Sequence, residues 1–309
     1  MMRLALALLV TLFAGYCITW AISVDYWFYA GYTVLQFAAL AVAWNILGGY
    51  AGYVNFGAAG FVGIGAYTTV FLQKWLDLPL LAAIPSAALV AGLLGCLMGL
   101  ITLRLRGMYF AIGTLALTVL LETVVTNWSF VGGARGAYLI PPFVVAGFAS
   151  WIKFLFVLML ALLLIAIAVA AWVEQSPLGR GLRALKDSEP AAEACGVPTL
   201  RLKIIAMGIS SALMGAVGAP LPWYLTFIEP HTAFGMNFSI SAVAMAMIGG
   251  PMHWSGPLLG AVLVGITHQA TTVTFGSASG VLVLGLSLMV FVVAVPRGIL
   301  GLLPRWRSK

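Results

Sequence analysis

The residues best suited to chemistry gather in one polar stretch, 174–203, reading EQSPLGRGLRALKDSEPAAEACGVPTLRLK. Within it, Glu189 and Glu193 stand four apart and share one edge if the run SEPAAEACG is helical. Ser188 suits an N-cap, Pro190 a first turn, and Gly196 before Pro198 a stop. This predicts a helix of about two turns. Ala191, Ala192 and Ala194 keep its profile low, so that another protein can approach closely. Upstream, Arg180, Arg183 and Lys186 recur every three residues, on one face if helical. That is the chemistry of docking. A solvated loop whose charges only orient its flanks accounts for the same residues equally well. Signals for catalysis are missing from the chain: there is no Gly-Lys dipeptide for a P-loop, no HExxH and no GxSxG. The three cysteines, Cys17, Cys96 and Cys195, are scattered singly and form no disulfide or metal pattern.

The elements that must position this stretch are hydrocarbon-rich. Of 309 residues, 63% are hydrophobic and 7% charged, and the mean hydropathy is +1.10. Soluble domains carry about 25% charged residues, so that class is excluded. Apolar runs of about 20 residues recur throughout, which predicts an all-α polytopic membrane bundle rather than a β-barrel. About ten spans are expected, near 4–23, 28–47, 57–74, 80–101, 109–128, 151–173, 204–226, 238–250, 257–275 and 279–296. The first is read as retained, since no small-x-small cleavage site precedes Asp25. With both termini cytoplasmic, twelve basic residues lie inside, including Arg3, Arg104, Arg106 and those of 174–203. Only Lys74, Arg135 and Lys153 lie outside. The net charge of +7 therefore orients helices and is no nucleic-acid footprint. Trp27, Trp75, Trp128, Trp151, Trp172 and Trp223 fall near span ends, as an aromatic belt would.

Two places break the helical pattern. One is NILGGYAGYVNFGAAGFVGIGAY, 45–67, where glycines weaken the helix and Asn45 and Asn55 add polar groups. The other is IGGPMHWSGP, 248–257, with Met247 just before it and His253 within it. Irregular backbone at membrane depth survives only inside protein or beside a wet cavity, and such breaks point to a solute route. Glu122 is the one acidic residue well inside an expected span. It is a functional candidate by default, or a structural partner of water or Arg135. His231, His253 and His268 are expected in structural or interfacial roles. Gly208, Ser211, Gly215 and Gly218, like Gly256, Gly260, Ala261 and Gly265, form small-residue stripes expected to pack helices within the subunit.

Taken together, NILGGYAGYVNFGAAGFVGIGAYT, RLRGMYFAIGTLAL, NWSFVGGARG, the 174–203 loop, AMIGGPMHWSGPLLGA and VPRGILGLLPRWR resemble the branched-chain amino acid ABC permease family, of the LivM type. The resemblance spans nearly the whole chain in order. It implies a single transmembrane permease domain over 1–309 with a type II ABC importer-like fold, multi-pass in the inner (plasma) membrane, with 174–203 as a cytoplasmic coupling loop. It implies a second permease subunit (a paralogue or a second copy), two cytoplasmic ATP-binding subunits and an external solute-binding protein, with lipid around them and no nucleic acid. The chain would need no cofactor and would itself be no enzyme, since ATP is hydrolysed by the partner chains. Carried over by position, Glu189, Ala191, Ala192 and Gly196 fall on the coupling motif, to which the loop reading adds Arg183 and Glu193. Arg104, Gly107 and Tyr109 fall on the RLRGxYFA motif, and Gly49, Gly52, Gly57, Gly63 and Gly65 on the Gly-rich span. Asn45, Asn55, Glu122, Met247 and His253 are the candidates for the translocation route. The chain departs from the family at Ala58, often His there, and at Val119 and Glu122, commonly Glu and then Arg. The last two swaps reverse the local charge. The implied cargo is a branched-chain or hydrophobic amino acid, or a related solute such as urea, another amide or an aromatic acid. An ion-coupled secondary transporter is the alternative; it would rely on Glu122 and His268. A passive channel would leave the loop unexplained, and an intramembrane enzyme lacks a nucleophile–base pair.

Overall fold

The computed structural model describes residues 2–22, 24–102, 105, 107–140, 147–275, 285–286, 289 and 298–302. In chain order its helices are α1 (Met2–Ala21), α2 (Tyr26–Gly48), α3 (Ala58–Leu76), α4 (Leu80–Thr102) and α5 (Met108–Thr126). There follow α6 (Trp151–Gln175), α7 (Pro177–Asp187), α8 (Glu189–Ala194), α9 (Thr199–Gly218) and α10 (Leu221–Leu225). The last are α11 (Pro230–Ala233), α12 (Asn237–Gly249) and α13 (Ser255–Phe275). Two short strands, β1 (Ala137–Tyr138) and β2 (Phe227–Ile228), pair antiparallel at the end of the bundle opposite the polar loop. Among the described residues six segments are long and apolar enough to cross a membrane: 26–48, 80–102, 108–126, 151–175, 199–225 and 230–249. Helices also occupy the expected spans near 4–23, 57–74 and 257–275. Apart from 285–286 and 289, the span expected over 279–296 lies outside the described residues, as do Arg104 and the side chain of His268. The span expected over 204–226 is interrupted by a turn at 219–220. Pro220 and Pro222 have no N–H to continue the helical ladder there.

The core sits around α2. Residues 38–47 are buried without interruption, from Ala38 to Leu47. A helix apolar on all sides belongs inside a bundle, and α2 touches α6, α9, α12 and α13. The stripe on α9 does what its spacing predicts. A Cβ at Gly95 of α4 would strike Ser211, and one at Gly215 would meet the Ala91 methyl and the Ala87 carbonyl. Gly65 and Gly218 bring α3 and α9 together, each facing a backbone carbonyl of the other helix, Gly215 O and Val62 O. In the same way Gly256 and Gly260 let α13 lie on the end of α12, while Gly265 rests on Val34 of α2. Lipid tails are as apolar as the side chains, so such close approach is a main source of helix cohesion. Gly65→Val should therefore force α3 and α9 apart. The expected cost is about 1–3 kcal/mol, read as a lower midpoint of thermal unfolding in detergent. An unchanged midpoint would show that the two helices can yield.

Candidate functional site

The polar loop is folded. Ser176 caps α7 by accepting from the Gly179 N–H at 3.3 Å, and Ser188 caps α8 by accepting from the Ala191 N–H at 3.4 Å. Gly196, at φ +81°, ends α8 as expected. Of the short helix, Ala192 is buried, while Ala191, Glu193, Ala194, Cys195 and Gly196 are exposed. The expected acidic edge is turned toward the chain itself. Glu189 holds Lys203, at the start of α9, across 2.6 Å and accepts from the Tyr53 hydroxyl at 2.8 Å. The Lys203 ammonium also donates to the Tyr53 oxygen at 3.1 Å and lies 4.9 Å from the ring centroid. Burial raises the Tyr53 phenol above its ordinary pKa, and the Lys203 hydrogen bond pulls it back. Glu193 accepts from the Thr199 hydroxyl at 2.7 Å. Sequence alone assigned Lys203 only to the basic inner loop and assigned Tyr53 nothing, because fourteen and 136 residues separate them from Glu189.

The same loop touches both helix breaks. Lys186 donates to the Gly49 carbonyl at 2.8 Å and lies 3.6 Å from the Met252 sulfur. Gly52 takes φ +77°, with the Lys186 side chain against it. Glu174, near the end of α6, is the second tie. It accepts from the Tyr50 hydroxyl at 3.2 Å and from the Trp254 N–H at 3.1 Å. Arg183 stands 3.3 Å from its carboxylate and His253 Nε2 3.6 Å. Burial, reinforced by the Glu174 charge, pushes the Tyr50 phenol well above its ordinary pKa, so it remains a donor. His253 Nδ1 and the Ser255 hydroxyl are 2.8 Å apart. One carboxylate and one ammonium thus bind the loop to residues 49–50 and 252–254 together.

Beyond Gly52, residues 53–56 lead to α3 without helix or strand. The Trp44 indole donates to the Asn55 carbonyl at 2.7 Å, and Asn55 Oδ1 accepts from the Gly57 N–H at 2.7 Å. Asn55 therefore holds the start of α3 from within. The Ser239 hydroxyl of α12 donates to the Phe56 carbonyl at 2.7 Å and accepts from the Ala59 N–H at 2.9 Å. Beside these residues lies a pocket of about 180 Å³, lined among others by Phe56, Thr118, Val119, Glu122, His231 and Met236. Glu122 faces His231, 3.4 Å from its Nδ1, where the sequence had suggested Arg135 or water. The expected route residues fall in separate places. Glu122 is in the pocket and Asn55 behind it. Asn45 is fully buried in α2. Met247 is half-buried on α12, and His253 lies in the Glu174 cluster.

The order of these elements has counterparts. The family model for the permease component of the branched-chain amino acid transport system matches residues 26–295. The high-affinity branched-chain amino acid transport system permease protein LivM of Salmonella typhimurium is 28% identical over 286 residues, covering 84% of this chain and 67% of the relative. Its Escherichia coli counterpart gives the same figures, 28%, 84% and 67%. A probable branched-chain amino acid transport permease protein LivH of Methanocaldococcus jannaschii is 27% identical, covering 80% of this chain and 82% of the relative. No solved structure matches the chain. A match over residues 26–295 takes in α2 through α13, both breaks, the loop and the pocket, and the chain belongs to the family of permease components of branched-chain amino acid transport systems.

Proposed function

We propose that this chain is the membrane-crossing subunit of an ATP-driven importer of branched-chain amino acids. The observation that carries the reading is the way α8 is mounted. Its inner side is fastened by Ala192, Glu189 and Lys203, while Ala191, Ala194 and Cys195 stand exposed. A push on that exposed side reaches Tyr53 through Glu189, and the adjoining α7 reaches both breaks through Lys186 and Arg183. In this reading a cytoplasmic ATPase grips α8, and its closure moves the breaks as a unit. Such a device shifts a two-state equilibrium only by the difference in partner affinity between the states.

The rest of the assembly follows from the same reading. The charge asymmetry of twelve against three supports a cytoplasmic loop and cytoplasmic termini, and the reading takes about ten spans in the inner membrane. Residues 1–309 form one permease domain. LivM-type and LivH-type permeases both resemble this chain, which supports a paralogous second permease as its partner. Two ATP-binding subunits and an external binding protein complete the importer. Asn45, Asn55, Glu122, Met247 and His253 are proposed to flank the route. Glu193 and Gly196 complete the coupling surface.

Two measurements test this. In a chain with Cys17→Ser and Cys96→Ala, a short thiol-to-amine cross-linker at Cys195 should capture an ATP-binding subunit. Ala191→Arg should leave assembly intact and abolish uptake, while ATP hydrolysis continues. Uptake that persists without ATP and collapses with an ion gradient would overturn the reading in favour of a secondary transporter.

A further inference from the structure

Glu122 and the pocket beside it have no part in the coupling loop, and their surroundings are unusual for a membrane subunit. The carboxylate sits on the last turn of α5, four residues before its end, and its side chain is 28% exposed. Its partner His231 has 91% of its side chain exposed. The neighbouring Val119, one turn earlier, is also exposed. An acidic side chain left open on the side of a membrane bundle is costly against hydrocarbon, so the face that carries it meets water or protein. The hydroxyls at hand are already used. Thr118 donates to the Thr114 carbonyl at 3.4 Å, and Ser239 is bonded to Phe56 and Ala59. The pocket therefore offers one acidic acceptor above an apolar wall of Phe56, Leu115, Val119, Phe234 and Met236.

We propose that this pocket is a solute-contact site in the outer part of the route. There Glu122 receives the ammonium group of an aliphatic amino acid, and the apolar wall receives its side chain. The proposal rests on the importer reading and adds a specificity-determining residue to it. His231 Nδ1, 3.4 Å from the carboxylate, is the neighbour that an arriving ammonium would meet there. The cavity, about 180 Å³ and partly open, has room for a small solute. An anionic solute without an ammonium would be repelled by Glu122.

The test uses the full assembly in proteoliposomes with its binding protein. Glu122→Gln should lower leucine uptake by about tenfold or more, the loss expected when one charged partner is removed from a polar contact. Glu122→Asp, which keeps the charge, should restore most of the uptake. Independently, Val119→Cys in a chain with Cys17→Ser, Cys96→Ala and Cys195→Ser probes the site with membrane-impermeant methanethiosulfonates added outside. The ratio of cationic to anionic reaction rates should exceed that of a free thiol in water by about tenfold, and Glu122→Gln should return it to the free-thiol ratio. Leucine should protect the cysteine. Wild-type uptake by Glu122→Gln, or a Val119→Cys that reacts with neither reagent, would overturn the site and leave the importer reading standing. Absence of ATP-dependent uptake in the wild-type assembly would instead remove the reading beneath it.

Discussion

A Lys203→Met subunit is expected to be among the least stable single variants of this chain and to transport nothing. Lys203 is 3% exposed and Glu189, 2.6 Å away, 14%, so the pair is shielded from water on both sides. Removing the ammonium takes away the cation that bonds both the Glu189 carboxylate and the Tyr53 oxygen. Loss of one partner from a buried pair costs about 3–5 kcal/mol. The double variant Lys203→Met with Glu189→Gln removes both charges and should recover most of that stability, because the net worth of a buried pair is small. Uptake should stay low in the double variant, since α8 would no longer be tied to Tyr53. Thermal unfolding in detergent and uptake in proteoliposomes, measured on the wild type, Lys203→Met and the double variant, separate the two effects. If Lys203→Met unfolds at the wild-type temperature, the triad is not what holds the loop. If the double variant transports normally, the tie from α8 to Tyr53 carries no motion.

The short helix over 188–196 was readable because its signals are local: Ser188 caps it, Pro190 starts it and Gly196 stops it at φ +81°. The stripe of Gly208, Ser211, Gly215 and Gly218 was readable for the same reason, since helical spacing alone puts small residues on one side. Burial direction was not readable. Glu189 and Glu193 looked like an acidic edge for a partner, and both turn to side chains of their own subunit. Nothing within one or two turns of Glu189 announces Tyr53, which arrives from another break in the chain. The breaks themselves were visible as Gly-Gly pairs, but their meeting at Glu174 was not. A glutamate at the end of a span reads as one more interfacial charge. The pocket lay half in view: Glu122 stood out as an intramembrane carboxylate, whereas its partner His231 is 109 residues away on a four-residue helix.

Glu174→Ala should be the second severe variant, through the joint between the two breaks. Its carboxylate is the acceptor for the Trp254 N–H and for the Tyr50 hydroxyl, and the anchor for Arg183 of α7. The Tyr50 hydroxyl lies 3.5 Å from the Ala170 carbonyl and keeps a weak alternative there. The Trp254 N–H has no such neighbour among its described hydrogen bonds. A buried donor left without an acceptor costs about 1–3 kcal/mol. Hydrogen exchange should therefore rise over 250–256 and over α7 in the same variant, although these segments are some 70 residues apart in sequence. Glu174→Gln keeps an acceptor oxygen while discarding the charge, so it should protect 250–256 better than it protects α7, which depends on the Arg183 pair. Uptake should fall in both variants, and ATP hydrolysis should become independent of the binding protein in Glu174→Ala alone. Were exchange to rise over α7 with 250–256 unchanged, the loop and the second break would be mechanically separate, and motion at α8 would reach the route only through Tyr53 and Gly49.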